Sequence, residues 1–120
     1  MKTTKIELPM APTINHYWKH KVVGKFASVY VSSDGLEFQR AVKWIVMELG
    51  LKTLTGRLIV DIVLFFPTLG RNDIDNRLKA CLDALTKAGV WLDDSQIDQL
   101  TVRRGEKTKG GMMQVEITEI

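Results

Sequence analysis

The stretch Leu58-Ile59-Val60-Asp61-Ile62-Val63-Leu64-Phe65-Phe66, closed by Pro67, decides the fold. It is nearly all apolar and rich in β-branched and aromatic side chains, which predicts a strand covered on both faces; the proline ends it because it has no amide to donate. We read it as the central strand of a sheet. In extended backbone Leu58, Val60, Ile62, Leu64 and Phe66 share one face, and Ile59, Asp61, Val63 and Phe65 share the other. Asp61 is the single charge in the run. A strand-edge carboxylate with a basic neighbour accounts for it more simply than a catalytic acid does.

Working outward from this strand, Thr68 to Asn72 forms a loop leading to a helix over roughly 75–88. Its apolar stripe is Leu78, Cys81, Leu82 and Leu85, and Gly89 stops it. Cys81 therefore reads as a small buried residue rather than a nucleophile. Val90 to Leu92 leads into the turn Asp93-Asp94-Ser95. Ile97 to Arg104 alternates as a strand, Gly105 to Gly111 reads as a hairpin connection, and Met113, Val115 and Ile117 alternate on a last strand. Towards the N-terminus, Lys2 to Leu8 predicts a first strand ending at Pro9, and Pro9 and Pro12 stiffen the start of a long polar loop. Thr13 to Ala27 has no clear period, and Val29 to Val31 is a short strand. Ser32 or Ser33 then caps a helix running to about Leu49, with Gly50 as its stop. Phe38, Ala41, Val42, Ile45 and Leu49 recur at helical spacing and predict its core face. Trp44, off that face, either covers the helix edge or meets another subunit. The pattern predicts a two-layer α+β sandwich, a mixed β-sheet with helices packed on it, in one domain over residues 1–120.

Composition bounds the function. With 120 residues, 45% hydrophobic and 26% charged, the chain is large enough for one domain with a real core. Lys and Arg exceed Asp and Glu by 17 to 14, a formal +3, which permits a polyanionic partner without demanding one. A single cysteine excludes an intrachain disulfide and a cysteine-based zinc cluster; it fits a reducing compartment, with the cytoplasm as the default. No charged n-region with an apolar run opens the chain, and the most apolar segment is too short to cross a bilayer, so no membrane partner is expected.

Against this basic background stand Asp73-Ile74-Asp75-Asn76 and, after the second helix, Asp93-Asp94. Like charges gathered together repel, so a fold that gathers them usually has a cation to hold. Asp73 and Asp75, two residues apart in extended backbone, point the same way and reach one ion; capping of the helix N-terminus is the rival reading for either alone. Asp93-Asp94 either joins them or forms a solvated turn. A calcium-binding EF-hand loop starting at Asp73 fails, because its fifth, sixth and twelfth positions are Arg77, Leu78 and Ala84. No P-loop and no HExxH pattern is present, and His16 and His20 read as surface or hydrogen-bonding residues. Carboxylates in a basic surface suggest phosphoryl chemistry on magnesium, which takes one or two carboxylates plus phosphate oxygens. Lys79 either pairs with Asp75 in a surface salt bridge or stands beside the metal as a fixed charge for the scissile phosphate. Tyr17 and Trp18, interleaved with Lys19, Lys21 and Lys25, either stack on nucleotides or cap a core edge.

Four groups of residues now combine: Pro9-Met10-Ala11-Pro12 with Asn15 and Tyr17, Asp73-Ile74-Asp75-Asn76 with Lys79, the block Asp83 to Asp94 reading DALTKAGVWLDD, and Thr108-Lys109-Gly110-Gly111. Over nearly its full length the chain resembles the RusA family of Holliday-junction resolvases. The resemblance implies a homodimer that binds four-way branched DNA and makes paired, symmetric nicks with Mg2+ or Mn2+, leaving ligatable ends in recombination and repair. It implies Asp73, Asp75 and Asp94 as metal-binding catalytic carboxylates and Lys79 as an essential base, with Asp93 and Asn76 supporting. Relatives often carry a denser basic run before the first aspartate, where this chain has only Arg71 ahead of Asn72. Lys19, Lys21, Lys25, Arg71, Arg77, Arg103, Arg104, Lys107 and Lys109 are the candidate DNA surface. A catalytically silent branched-DNA binder and a nuclease acting on flaps or forks are the alternatives.

Overall fold

The computed structural model describes residues 2–120, the side chain of Lys2 left aside. Strands β1 (Lys2–Leu8), β4 (Leu58–Phe65), β5 (Ile97–Arg104) and β6 (Met112–Glu119) form one mixed sheet in the order β1-β6-β4-β5. β6 runs antiparallel to both β1 and β4, and β4 runs parallel to β5. Helices α2 (Ser33–Leu49) and α3 (Leu78–Lys87) pack on one face. The core is the meeting of Ile6, Leu8, Leu58, Val60, Ile62, Leu64, Met113, Val115 and Ile117 from the sheet with Phe38, Val42, Val46, Cys81, Ala84 and Leu85 from the helices. The two-layer α+β architecture is as expected from the sequence. Among the described residues no helix is long and apolar enough to cross a membrane.

The expected central strand is β4, Leu58–Phe65, interior to the sheet beside β6, but the expectation of cover on both faces is corrected. Helices cover only the side of Leu58, Val60, Ile62 and Leu64. On the other, Ile59, Asp61 and Phe65 stay half-buried and Val63 is screened by its neighbours. An apolar run marks an interior position in the sheet, not two helical layers. Residues 105–111 are not a hairpin either. Because β5 and β6 both flank β4, this segment crosses the end of β4, anchored by the Gly105 amide on the Leu64 carbonyl (2.8 Å) and the Thr108 amide on the Phe66 carbonyl (2.9 Å).

The segment expected to be a long loop is ordered. A four-residue helix α1 (Ile14–Tyr17) leads into β2 (Trp18–Val23), which pairs with β3 (Phe26–Val31) as a separate two-stranded sheet. Gly24 takes φ 61° while Lys25 has negative φ, the arrangement of a II′ turn matched to strand twist. The radius of gyration, 15.0 Å, exceeds the roughly 13–14 Å of a compact domain this size. An element standing off the body accounts for the difference.

Ser32 caps α2, accepting from the Gly35 amide at 3.0 Å, and its own hydroxyl donates to the His16 carbonyl. Gly50 ends the helix in left-handed backbone at φ 62°. Within the core stripe Leu49 is exposed and Val46 buried, since the helix presents 38, 42 and 46 to the sheet. Trp44 is exposed. Gly35 is the tightest point of α2. A Cβ there meets Val31 Cγ1 at 2.6 Å and Tyr17 Cδ1 at 2.9 Å, both on residues with little room to move. We expect Gly35→Ala to destabilise the fold by about 1–3 kcal/mol through overpacking, read as a lowered thermal midpoint.

Candidate active site

β4 ends at Phe65, and the loop beyond it carries the acidic motif. Two arginines fix this loop. The guanidinium of Arg104, on β5, lies 4.9 Å from the centroid of the buried Phe66 ring, and that of Arg77 lies 5.6 Å from it. Arg104 donates to the Asn72 carbonyl, and Arg77 donates to the Ala11 carbonyl at 2.6 Å. Burial pulls the Arg77 pKa down from the ordinary arginine value. Both side chains, counted from sequence among the DNA contacts, are thus engaged in shaping the loop on either side of Asp73.

α3 starts at Leu78, three residues later than the sequence suggests, and residues 74–77 form a bend and turn. Asp73 and Asp75 are therefore not related by extended backbone, and neither caps α3. Their carboxylates and that of Asp94 are engaged in no hydrogen bond or ion pair among the described residues, where the one salt bridge joins Arg57 and Asp98. The Asp75–Lys79 surface pair is not formed. The amide of Leu78 instead reaches the Asp75 backbone carbonyl at 3.3 Å, and the Asn76 carbonyl accepts from the Ile14 amide at 2.8 Å.

The second acidic pair sits in a 3-10 turn, Asp94–Gln96, packed against α3. Asp93 caps it, accepting from the Ser95 hydroxyl and, at 3.3 Å, the Ser95 amide. These contacts hold the Asp93 carboxyl below its ordinary range, and the positive charge of Lys79 adds to the effect. Lys79 is exposed on the first turn of α3, the helix that packs against this turn. A carboxyl depressed on folding stabilises above its unfolded pKa and loses that contribution as pH falls through its folded value. Ser95→Ala should accordingly flatten the acid limb of the stability–pH curve below the ordinary aspartate pKa.

Gln96, which the sequence reading passed over, organises this turn. Only 9% exposed, it accepts from the amides of Leu92 (2.8 Å) and Asp93 (2.9 Å) and donates to the carbonyls of Leu54 (3.0 Å) and Gly56 (2.9 Å). The sequence signal was available as Asp93-x-x-Gln96, a capping box ahead of a strand. A second network ties the helices together. The buried Tyr17 hydroxyl donates to Asp83 of α3, and Gln39 of α2 donates to the Tyr17 oxygen at 2.6 Å. Burial above all, and then the Asp83 carboxylate, raise the Tyr17 pKa and keep the phenol protonated. Tyr17 is thus a core residue, while Trp18 is half-buried and packs edge-on to it at 5.1 Å.

The donors are all carboxylate oxygens, which suits a hard divalent cation. No group of three or more His, Cys, Asp or Glu residues among those described is gathered closely enough to hold an ion alone. Asp73, Asp75 and Asp94, expected from sequence to share an ion, are therefore not brought together into such a group. Of the candidate DNA contacts, Lys19 and Lys21 are exposed on β2, Lys25 at the β2–β3 turn, Arg71 in the acidic loop, Arg103 on β5, and Lys107 and Lys109 on the connection crossing β4.

The family model of Endodeoxyribonuclease RusA matches residues 7–118, spanning the acidic loop, α3 and the capped turn. The chain belongs to the RusA family. Its similarity to curated RusA proteins runs end to end. It is 35% identical to the crossover junction endodeoxyribonuclease of Enterobacteria phage HK97 over 121 residues, covering 100% of this chain and 98% of that protein. To the crossover junction endodeoxyribonuclease of Escherichia coli strain K12 it is 36% identical over a 124-residue alignment, again covering 100% and 98%. The RusA protein of Enterobacteria phage 82 matches at 35% over the same span.

Proposed function

We propose that this RusA-family chain is a metal-dependent, structure-selective endodeoxyribonuclease that resolves four-way DNA junctions by paired symmetric nicks, working as a homodimer. The end-to-end match to crossover junction endodeoxyribonucleases carries this reading. The Asp73 and Asp75 carboxylates, engaged by no described residue, and the packing of the capped turn carrying Asp93 and Asp94 against α3, which bears Lys79, support it.

Asp73, Asp75 and Asp94 would hold Mg2+, with Mn2+ as a substitute. Such an ion, when bound, polarises the phosphoryl group and lowers the pKa of a water. The chain's own contributions are positional and electrostatic. Arg77 and Arg104 fix the loop that carries Asp73 and Asp75; Gln96 and Asp93 fix the turn that carries Asp94. The Lys79 ammonium balances charge building on the scissile phosphate. Lys19, Lys21, Lys25, Arg71, Arg103, Lys107 and Lys109 meet phosphates along the junction arms, so affinity falls steeply with salt. A two-fold dimer presents two such sites to the two-fold symmetry of the junction.

The deciding experiment is strand cleavage of a synthetic mobile four-way junction, with Mg2+ and with EDTA, using wild type and Asp73→Asn. Paired nicks that vanish in EDTA and in the variant are expected. Tight binding with no nicks in Mg2+ would replace the enzyme with a silent binding module, and equal cutting of three-way or linear DNA would replace junction selectivity with a broader nuclease.

A further inference from the structure

The β2–β3 ribbon has no partner among the described residues. Phe26 is 81% exposed and Val22 72%, and every residue from Lys19 to Tyr30 is exposed. A two-stranded ribbon is marginal in water on its own, and clustered exposed apolar residues mark a binding surface. The pairing register sorts its side chains. Lys19 opposes Tyr30, Lys21 opposes Ser28 and Val23 opposes Phe26, so one face carries two lysines with two aromatics, and Lys25 adds a third charge at the tip. From Leu8 to Ser33 the chain contains no Asp or Glu. A basic, aromatic surface without a single acid complements a polyanion with stackable bases.

The base of this arm is joined to the acidic site at three points. The Ile14 amide donates to the Asn76 carbonyl at 2.8 Å, Arg77 donates to the Ala11 carbonyl at 2.6 Å, and the Tyr17 hydroxyl donates to Asp83 on α3. Six residues per strand give a reach of about 20 Å. DNA held by the arm is thereby placed relative to Asp73, Asp75 and Lys79. We infer that the β2–β3 arm is a junction-opening element: Lys19, Lys21 and Lys25 grip phosphates while Phe26 enters the base stack at the branch point and holds the crossover open. Two-stranded ribbons fit a DNA groove, and apolar wedges of the Phe and Leu type unstack base steps. The inference rests on the junction reading above and adds to it the element that distorts the substrate.

The test places 2-aminopurine at the crossover of a fixed four-way junction and follows its fluorescence in EDTA with wild type, Phe26→Ala and Phe26→Leu, beside nicking assays in Mg2+. Phe26 lies outside the core, so these variants keep the fold. Wild type and Phe26→Leu should raise the fluorescence. Phe26→Ala should not, and should bind the junction about tenfold more weakly. A wild type that nicks junctions while Phe26→Ala gives the full fluorescence rise overturns the wedge and leaves the resolvase intact. Loss of dimer in sedimentation of Phe26→Ala overturns it in favour of arm contacts between two copies. A wild type that neither binds nor nicks removes the junction reading and the wedge with it.

Discussion

Asp75→Asn cuts junction nicking by about a thousandfold or more while junction binding survives. The substitution removes one negative charge and keeps the shape. The Asp75 side chain is exposed and engaged with no described residue, and it is its backbone carbonyl, unchanged in the variant, that receives the Leu78 amide. Stability should therefore stay within about 0.5 kcal/mol of wild type. Binding should hold or tighten, because a carboxylate facing DNA phosphates is repulsive in the absence of metal. Single-turnover cleavage and gel-shift titration, run with a urea melt, separate these quantities. Wild-type turnover by the variant would remove Asp75 from the site, and loss of folding in step with activity would make it structural.

Gln96→Leu acts in the opposite manner, through the fold. Four backbone groups, the amides of Leu92 and Asp93 and the carbonyls of Leu54 and Gly56, lose their partner at once in a buried setting. Unsatisfied buried groups cost roughly 1–3 kcal/mol each, partly relieved by water, so a net loss of about 4 kcal/mol is expected. The urea midpoint should fall sharply, and nicking should fall further than the folded fraction accounts for, since Gln96 ties the turn bearing Asp93 and Asp94 to the segment 54–56. An unchanged midpoint would show that water takes over its bonds.

Much of this was legible from sequence because the signals were local. Alternation in 2–8, 97–104 and 112–119, the Ser32 cap, the Gly50 and Gly89 stops and the burial of Cys81, whose thiol burial pushes up to about 12, all follow from period and turn chemistry. The arm as a paired ribbon was not legible. Its strands, with the charges of β2 facing an uncharged β3, form a two-sided surface that buries almost nothing, so no core face imprints a period and only Val29 to Val31 read as strand. The crossing segment 105–111 was misread because nothing local distinguishes a hairpin from a link that skips one strand; that choice lies in the pairing of β4 with β6. For the site, residue types were readable but their supports were not. Arg77 and Arg104 read as DNA contacts by charge alone, and only tertiary contact with Phe66 reveals their grip on the acidic loop.

Among the described strands β6 comes last in the chain, and it lies between β1, the first, and β4. Until β6 begins to emerge at Met112, β1 has no partner and the inner edge of β4 lies open. Contacts this distant in sequence close slowly, because the loop entropy is met before any pairing rewards it. The acidic loop and α3 are translated well before the strand that completes the sheet beneath them. A nascent chain of this topology therefore carries its acidic loop on an unfinished sheet until β6 has emerged to complete it.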